Sequence, residues 1–259
     1  MYELDFAQFL NSAEETITME NKSREHPALI LLPNLLGEHR DHHAFLPISV
    51  DQAVATLDGL IAESVKEGRR FLSRFKLSKP THLIPLALLN EHTPEADLDF
   101  LLEPICKGER WGLVSDCGLP CIADPGANLV RRAYALNLQV EALIGPSSLA
   151  LAQELSGLPC QQFTFHGYLD RDPIQRKKQI QTMEQAVQMT SYTQLFIETP
   201  YRNMATLQTL IDTLANKRRL CIACDLTLPT QKVITQTIAA WKNAPLPDID
   251  NSPAIFLIK

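Results

Sequence analysis

The chain has 259 residues, 45% of them hydrophobic and 21% charged, which is ordinary globular usage and excludes wholesale disorder. At this length, folding hides about three quarters of the open chain's surface, enough for a core without disulfide or metal staples. Lys+Arg 24 against Asp+Glu 30 gives a net charge of −6, which excludes an overall basic coat for nucleic acid but leaves local basic patches open.

Residues 1–26 read as a polar leader with a short helix around Phe6–Leu10. They lack the basic and apolar stretches of a secretory signal. No apolar run approaches the ~20 residues that span a bilayer. A cytoplasmic protein with no membrane partner is expected, and its 6 cysteines are expected to be mostly thiols. From Ala28 the texture changes. Ala28–Leu32 is a buried strand stopped by Pro33-Asn34, and Gly59–Glu63 and His82–Leu88 are weaker strands. Glu95–Cys106 is a helix, because Leu98, Leu101, Leu102 and Ile105 recur at i, i+3, i+4 and i+7. Trp111–Val114 is a strand that runs into Ser115–Gly126. A helix over Ala127–Asn137, a strand over Val140–Ile144 and a helix over Ser148–Ser156 follow. This alternation predicts an α/β fold with a mostly parallel sheet covered by helices.

Gly157-Leu158-Pro159 marks the expected boundary between a domain over 27–158 and a second over 159–259. The second half predicts strands at Phe163–His166, Gln194–Thr199, Leu220–Leu226, Lys232–Ile238 and Ala254–Ile258. Ile180, Met183 and Val187 share one helical face, and Met204, Leu207, Leu210, Ile211 and Leu214 share another. No full helix fits between the last two strands, so a mixed sheet is expected there.

The stretch SDCGLPCIADPG, Ser115–Gly126, leaves a parallel strand at its carboxyl end, where open α/β sheets bind ligands. Gly118 and Gly126 let backbone approach closely, and Pro120 and Pro125 stiffen the loop. Such a loop suits a small polar ligand; it also suits a tight crossover in which Asp124 caps the next helix. In Ile144–Ala150, Ser147 or Ser148 can cap a helix and leave free N–H groups for an acceptor ligand. The phosphate-binding P-loop, the dinucleotide glycine motif, the nucleophile elbow and the zinc-protease helix are all missing. Cys221 and Cys224 fall inside an apolar strand that points them opposite ways, which argues against zinc. His39, His42 and His43 read as an exposed loop. Basic clusters at Arg69-Arg70 with Arg74 and Lys76, at Arg131-Arg132, at Arg171 with Arg176–Lys178, and at Lys217–Arg219 are solvated faces or a track for a phosphate backbone.

SDCGLPCIADPG, IGPSS, SGLP, FTFHGYL, FIETPYR and ACDLT occur in that order over residues 28–259. The series resembles the tetrapyrrole-methylase superfamily, and within it the branch that 2′-O-methylates a cytidine of small-subunit ribosomal RNA. The resemblance implies two α/β domains, S-adenosylmethionine (SAM) as methyl donor in a cleft between them, no metal, RNA as acceptor, and a homodimer. By position, Pro33, Asn34, Ser115, Asp116, Gly118, Pro120, Ile122, Asp124, Pro146, Ser147 and Ser148 would line the donor. Phe165, His166, Gly167, Glu198, Thr199, Tyr201, Leu226 and Thr227 would close the site. A ribose hydroxyl needs a proton acceptor, and Glu198, Asp116 and Glu63 are the candidates, Glu198 first. Tyr201 and Arg202 would meet a base or a phosphate. The chain departs from that branch at Asn34–Gly37, at Ser64–Lys66 and at Cys117 and Leu119. Two alternatives stay open: C-methylation of a tetrapyrrole, or a SAM-binding interaction module without catalysis.

Overall fold

The computed structural model describes residues 26–39 and 41–259. The helix expected over Phe6–Leu10 lies outside them. Two units emerge. The first takes the chain up to Asn34 and Leu46–Gly145, and the second takes Leu35–Phe45 and Pro146–Lys259.

The first unit is built on β1 (Ala28–Leu32), β2 (Gly59–Ala62), β3 (Leu86–Leu88), β4 (Arg110–Val114) and β5 (Gln139–Ala142), in the spatial order β3-β2-β4-β1-β5. Every pair is parallel. A central parallel strand is covered on both faces, and Ala28, Leu29, Ile30 and Leu32 are accordingly fully buried. Four helices serve this sheet: α1 (Ile48–Ala55), α2 (Val65–Leu72), α3 (Leu98–Cys106) and α4 (Ala127–Ala135). The periodic face of α3 places Leu98, Leu102 and Ile105 in one core with Leu29, Ile61, Trp111, Leu113 and Leu129.

Several expected elements shorten, two of them with a plain local cause. The strand over His82–Leu88 survives only at Leu86–Leu88, and Thr81–Leu83 forms a 3-10 turn. Pro80 and Pro85 bracket that turn, and proline has no N–H for a ladder. The helix from Ala127 stops at Ala135, and Asn137 turns left-handed at φ 55°. Helices α1 and α2 escaped the sequence because each spans eight residues with only two or three buried positions.

The second unit is built on β6 (Phe163–Tyr168), β7 (Thr193–Glu198), β8 (Arg219–Cys224), β9 (Lys232–Thr237) and β10 (Ala254–Ile258), in the order β6-β7-β10-β8-β9. The β6–β7 pair is parallel and the others are antiparallel, so the sheet is mixed as expected. Its helices are α5 (Ser148–Ser156), α6 (Pro173–Thr190), α7 (Asn203–Thr213) and α8 (Ile238–Asn243). Alternation along β8 and β10 divides the side chains between two cores. Leu220, Ile222, Cys224 and Phe256 join the face under α6, α7 and α8. Cys221, Ala223, Ile255 and Leu257 join Ala152 of α5 on the other. Phe196 and Phe256 stand opposite in register and stack with centroids 5.1 Å apart.

Because α5 packs on β8, β9 and β10, the second unit begins at Pro146 rather than at the Gly157–Pro159 punctuation. Gly157 instead ends α5 in a left-handed cap at φ 64°. Among the described residues no helix is long and apolar enough to cross a membrane.

Candidate functional site

In the first unit the carboxyl ends of β1, β2 and β4 lie side by side, because β4 pairs with both of the others. Chain leaves β1 toward β2 and leaves β4 toward β5, in opposite directions along the sheet. Their exit loops therefore come together at one point of the edge. Pro33-Asn34 follows β1, Glu63-Ser64 follows β2, and Ser115-Asp116 follows β4.

Hydrogen bonds tie these exits into one surface. The Asn34 N–H donates to the Gly118 carbonyl at 2.7 Å. Its side-chain amide donates to the carbonyls of Ser115 at 2.9 Å and Asp116 at 3.0 Å. Its Oδ1 accepts from Arg74 Nη1 at 2.6 Å. Glu63 Oε1 accepts from the Asp116 N–H at 3.1 Å. Asn34 is only 3% exposed. It was expected to touch a ligand, and it acts as a strut inside the edge. On the far side of β1, Pro33 closes against Gly145. A Cβ at Gly145 would stand 2.1 Å from the Pro33 Cβ, so only glycine fits.

The Ser115–Gly126 loop holds unusual backbone. Gly118, Cys121, Ala123 and Gly126 have φ of 72°, 69°, 64° and 136°. Two of these carry a Cβ, and such strain persists only where the surroundings enforce it. Ser115, Gly118 and Pro120 are buried, Asp116 and Ile122 are exposed, and Asp124 is half-buried. Asp124 does not cap the next helix, since Gly126 holds that place without a side-chain bond. Desolvation, with Glu63 close by, pushes the Asp124 carboxyl up to about 6, against an opposing hydrogen bond with Ser115. Desolvation also raises Glu63, against the hydrogen bond it accepts from the Asp116 N–H and with a smaller push from the Asp116 charge, and raises Asp116, helped by Glu67. Cys121 in the same loop is pushed up to about 11, first by desolvation and then by Asp124. The edge is therefore a dehydrated group of carboxylates on a stiff backbone, suited to a small ligand with hydroxyl donors or positive charge.

In the second unit Ser147 caps α5, its Oγ accepting from the Ala150 N–H at 3.5 Å, with Pro146 and Ser148 half-buried beside it. Strand β6 is an edge strand. Phe165 is half-buried, Gly167 turns left-handed at φ 65°, and His166 Nε2 lies 2.7 Å from Gln194 Oε1. Gln194 gives its own amide N–H to the Tyr192 carbonyl, so its oxygen faces His166 and His166 donates. Leu226 is buried, and Thr227 has φ 75°, with its Oγ1 3.1 Å from His39 Nε2. Tyr201 is 72% exposed.

Glu198 does not fit the role of proton acceptor. It is 1% exposed. Its Oε1 accepts from the Thr199 N–H at 2.7 Å and from Arg202 Nε at 2.7 Å, and its Oε2 accepts from Thr206 Oγ1 at 2.7 Å. Both oxygens are committed to anchoring the start of α7. Arg202 is occupied in the same way, with Nη2 donating to the Leu169 carbonyl at 3.2 Å, so it is not open to a phosphate.

The remaining sequence features are quieter. All six cysteines are thiols. Cys221 and Cys224 enter opposite cores as the alternation required, and burial pushes them up to about 11 and about 12. Asp41, His42 and His43 are close enough to hold a metal ion, although Asp41 already caps that turn by accepting from the His43 N–H at 3.0 Å. Arg69 donates to the Thr81 and Ile84 carbonyls, Arg131 pairs with Glu95, and Arg132 with Asp99. Arg69 is thus spent inside the fold, while the Arg131 and Arg132 pairs lie on the surface.

Ribosomal RNA small subunit methyltransferase I of Xylella fastidiosa is 30% identical over 203 residues, 78% of this chain and 71% of that protein. The chain belongs to this family. The namesake from Rickettsia prowazekii is 31% identical over 199 residues, 74% of this chain and 68% of its own. No protein-family model matches the chain. Among solved structures, the methyltransferase CobJ superposes with a TM-score of 0.59 at 15% identity, covering 89% of this chain and 92% of its own. Diphthine synthase gives 0.58 at 14% identity, covering 89% of both. These two show a shared fold, the tetrapyrrole-methylase fold.

Within this family member, the sequence signalled the loops but missed three supports. Arg74 lies 40 positions from Asn34, Thr206 is an ordinary helix residue, and Gly145 is far in sequence from the Pro33 it meets. None has a local signature, because each acts across the fold.

Proposed function

We propose that the chain is a SAM-dependent methyltransferase that methylates the 2′-oxygen of a cytidine ribose in small-subunit ribosomal RNA, with the carboxyl edge of the first sheet as its donor surface. The observation that supports this most is the Ser115–Gly126 loop: left-handed backbone at four positions beside dehydrated carboxylates. SAM would supply an electrophilic methyl on a positive sulfonium. The residues present suit it. Asp116, Asp124 and Glu63 offer acceptors for ribose hydroxyls and compensate positive charge. Exposed Ile122 offers an apolar surface for a nucleobase. Pro33, Ser115, Gly118 and Pro120 form the rigid floor.

The chain's own work is then to orient the donor, to exclude water and to take the hydroxyl proton. With Glu198 committed to α7, Asp116 is the proposed proton acceptor. Its side chain is exposed, and its N–H is held by Glu63. Under the same proposal Pro146, Ser147, Ser148, Phe165, His166, Gly167, Thr199, Tyr201, Leu226 and Thr227 remain candidate ligand contacts, and the protein acts as a cytoplasmic homodimer without a metal.

Calorimetry with SAM should show binding that is unchanged by a chelator. Mass spectrometry of ribosomal RNA from a deletion strain should show one cytidine without its ribose methyl, restored by the wild-type gene and not by Asp116→Asn. No affinity at millimolar SAM would overturn the donor assignment. Intact affinity with an unchanged methylation pattern would overturn the RNA assignment and favour the non-catalytic binding module.

A further inference from the structure

We infer that Arg74 is a positioning residue of the donor surface, acting through the side chain of Asn34. This rests on the proposed donor site for its functional meaning, while the mechanical claim stands on the geometry of the first unit alone.

Arg74 is rigidly mounted. Its N–H donates to the Phe71 carbonyl at 3.1 Å, just past the end of α2. The flanking Phe71 and Phe75 are buried and touch, with ring centroids 5.0 Å apart. From this mount Nη1 reaches Asn34 Oδ1 at 2.6 Å. A guanidinium can only donate, so it can face only the oxygen of an amide. Arg74 thereby fixes which way round the Asn34 amide sits. The NH2 group is turned to the loop after β4, where it meets the Ser115 and Asp116 carbonyls at 2.9 Å and 3.0 Å. With the Asn34 N–H on the Gly118 carbonyl at 2.7 Å, three carbonyls at the root of the Ser115–Gly126 loop hang from one buried residue. Arg74 holds that residue's orientation. Desolvation and the neighbouring Arg70 lower the Arg74 pKa, in keeping with a partly buried cation turned to the interior. In the sequence Arg74 sat in a basic cluster that could have followed RNA; in the structure it reaches the Asn34 amide.

The test compares Arg74→Met, Arg74→Lys, Asn34→Ala, the Arg74→Met/Asn34→Ala double variant, and Lys76→Met, an exposed cation of the same stretch, as a charge control. Arg74→Met should weaken SAM about tenfold or more, the scale of one charge-assisted hydrogen bond. Arg74→Lys should recover most of that loss, and Lys76→Met should change nothing. Asn34→Ala removes both the oxygen that Arg74 meets and the amide donors to the loop, so it should weaken SAM at least as much. The double variant should be no worse than Asn34→Ala alone, because the two residues act in series. Without donor, amide hydrogen exchange over residues 116–124 should quicken in Arg74→Met. Additive losses, or wild-type affinity and wild-type exchange in Arg74→Met, would overturn the inference. If Arg74→Met does not fold, Arg74→Lys and Asn34→Ala carry the comparison. If wild-type protein fails to bind SAM, the donor assignment falls and the exchange result alone decides the clamp.

Discussion

At the scale of single residues, two carboxylates that look equivalent in the sequence have opposite environments. Glu198 is surrounded by donors and buried. Asp124 is dehydrated with other acids near it. Glu198→Gln leaves the Arg202 charge buried without its counterion and should cost about 3 kcal/mol or more in chemical denaturation, the range for breaking a buried pair. A proton acceptor would instead lose turnover with stability intact, so the two roles separate cleanly. Asp124 gives a pH signature. Its folded pKa of about 6 lies above the ordinary 3.8. The folded chain thus binds that proton more tightly than the unfolded chain does. Its contribution to stability falls as pH rises from 3.8 to about 6 and stays low above that. Asp124→Asn should remove this slope and raise the melting temperature at pH near 7 relative to wild type. A melting-temperature series over pH, run on both proteins, checks it.

At the scale of elements, strands β1, β4, β8 and β10 were legible because continuous or alternating apolar runs are the direct imprint of a two-faced sheet. Helices α3 and α5 were legible from periodicity and caps. Gly145 was visible within the IGPSS motif, but its reason was not, because that reason is Pro33, in a loop far away in sequence. Gly145→Ala forces a Cβ onto the Pro33 ring and should destabilise the first unit by about 1–3 kcal/mol, the usual cost of overpacking. A reduced denaturation midpoint with an unchanged slope would bear this out. Gly157 makes a useful contrast. Nothing lies within 4 Å of the Cβ it lacks, so its constraint is the left-handed backbone alone.

At the scale of the whole molecule, the fold class and the mixed second sheet were accessible from the order and spacing of the elements. The unit boundary was not, since a helix-ending glycine and a domain-ending glycine leave the same mark. Nor was the fate of the basic clusters, because charge counts do not reveal that Arg69, Arg74 and Arg218 already have partners inside the fold, or that Arg131 and Arg132 pair with acids on the surface. The excursion Leu35–Phe45 has one more consequence. It belongs to the second unit although it is made before most of the first. During synthesis this segment emerges more than a hundred residues ahead of the sheet that receives it, since Pro146 opens the rest of that unit. The amino-terminal half can close around β1 while eleven of its neighbours wait for a partner not yet translated. Cutting the gene at Pro146 would leave the first polypeptide with a segment that has no home in it, and the second without that segment.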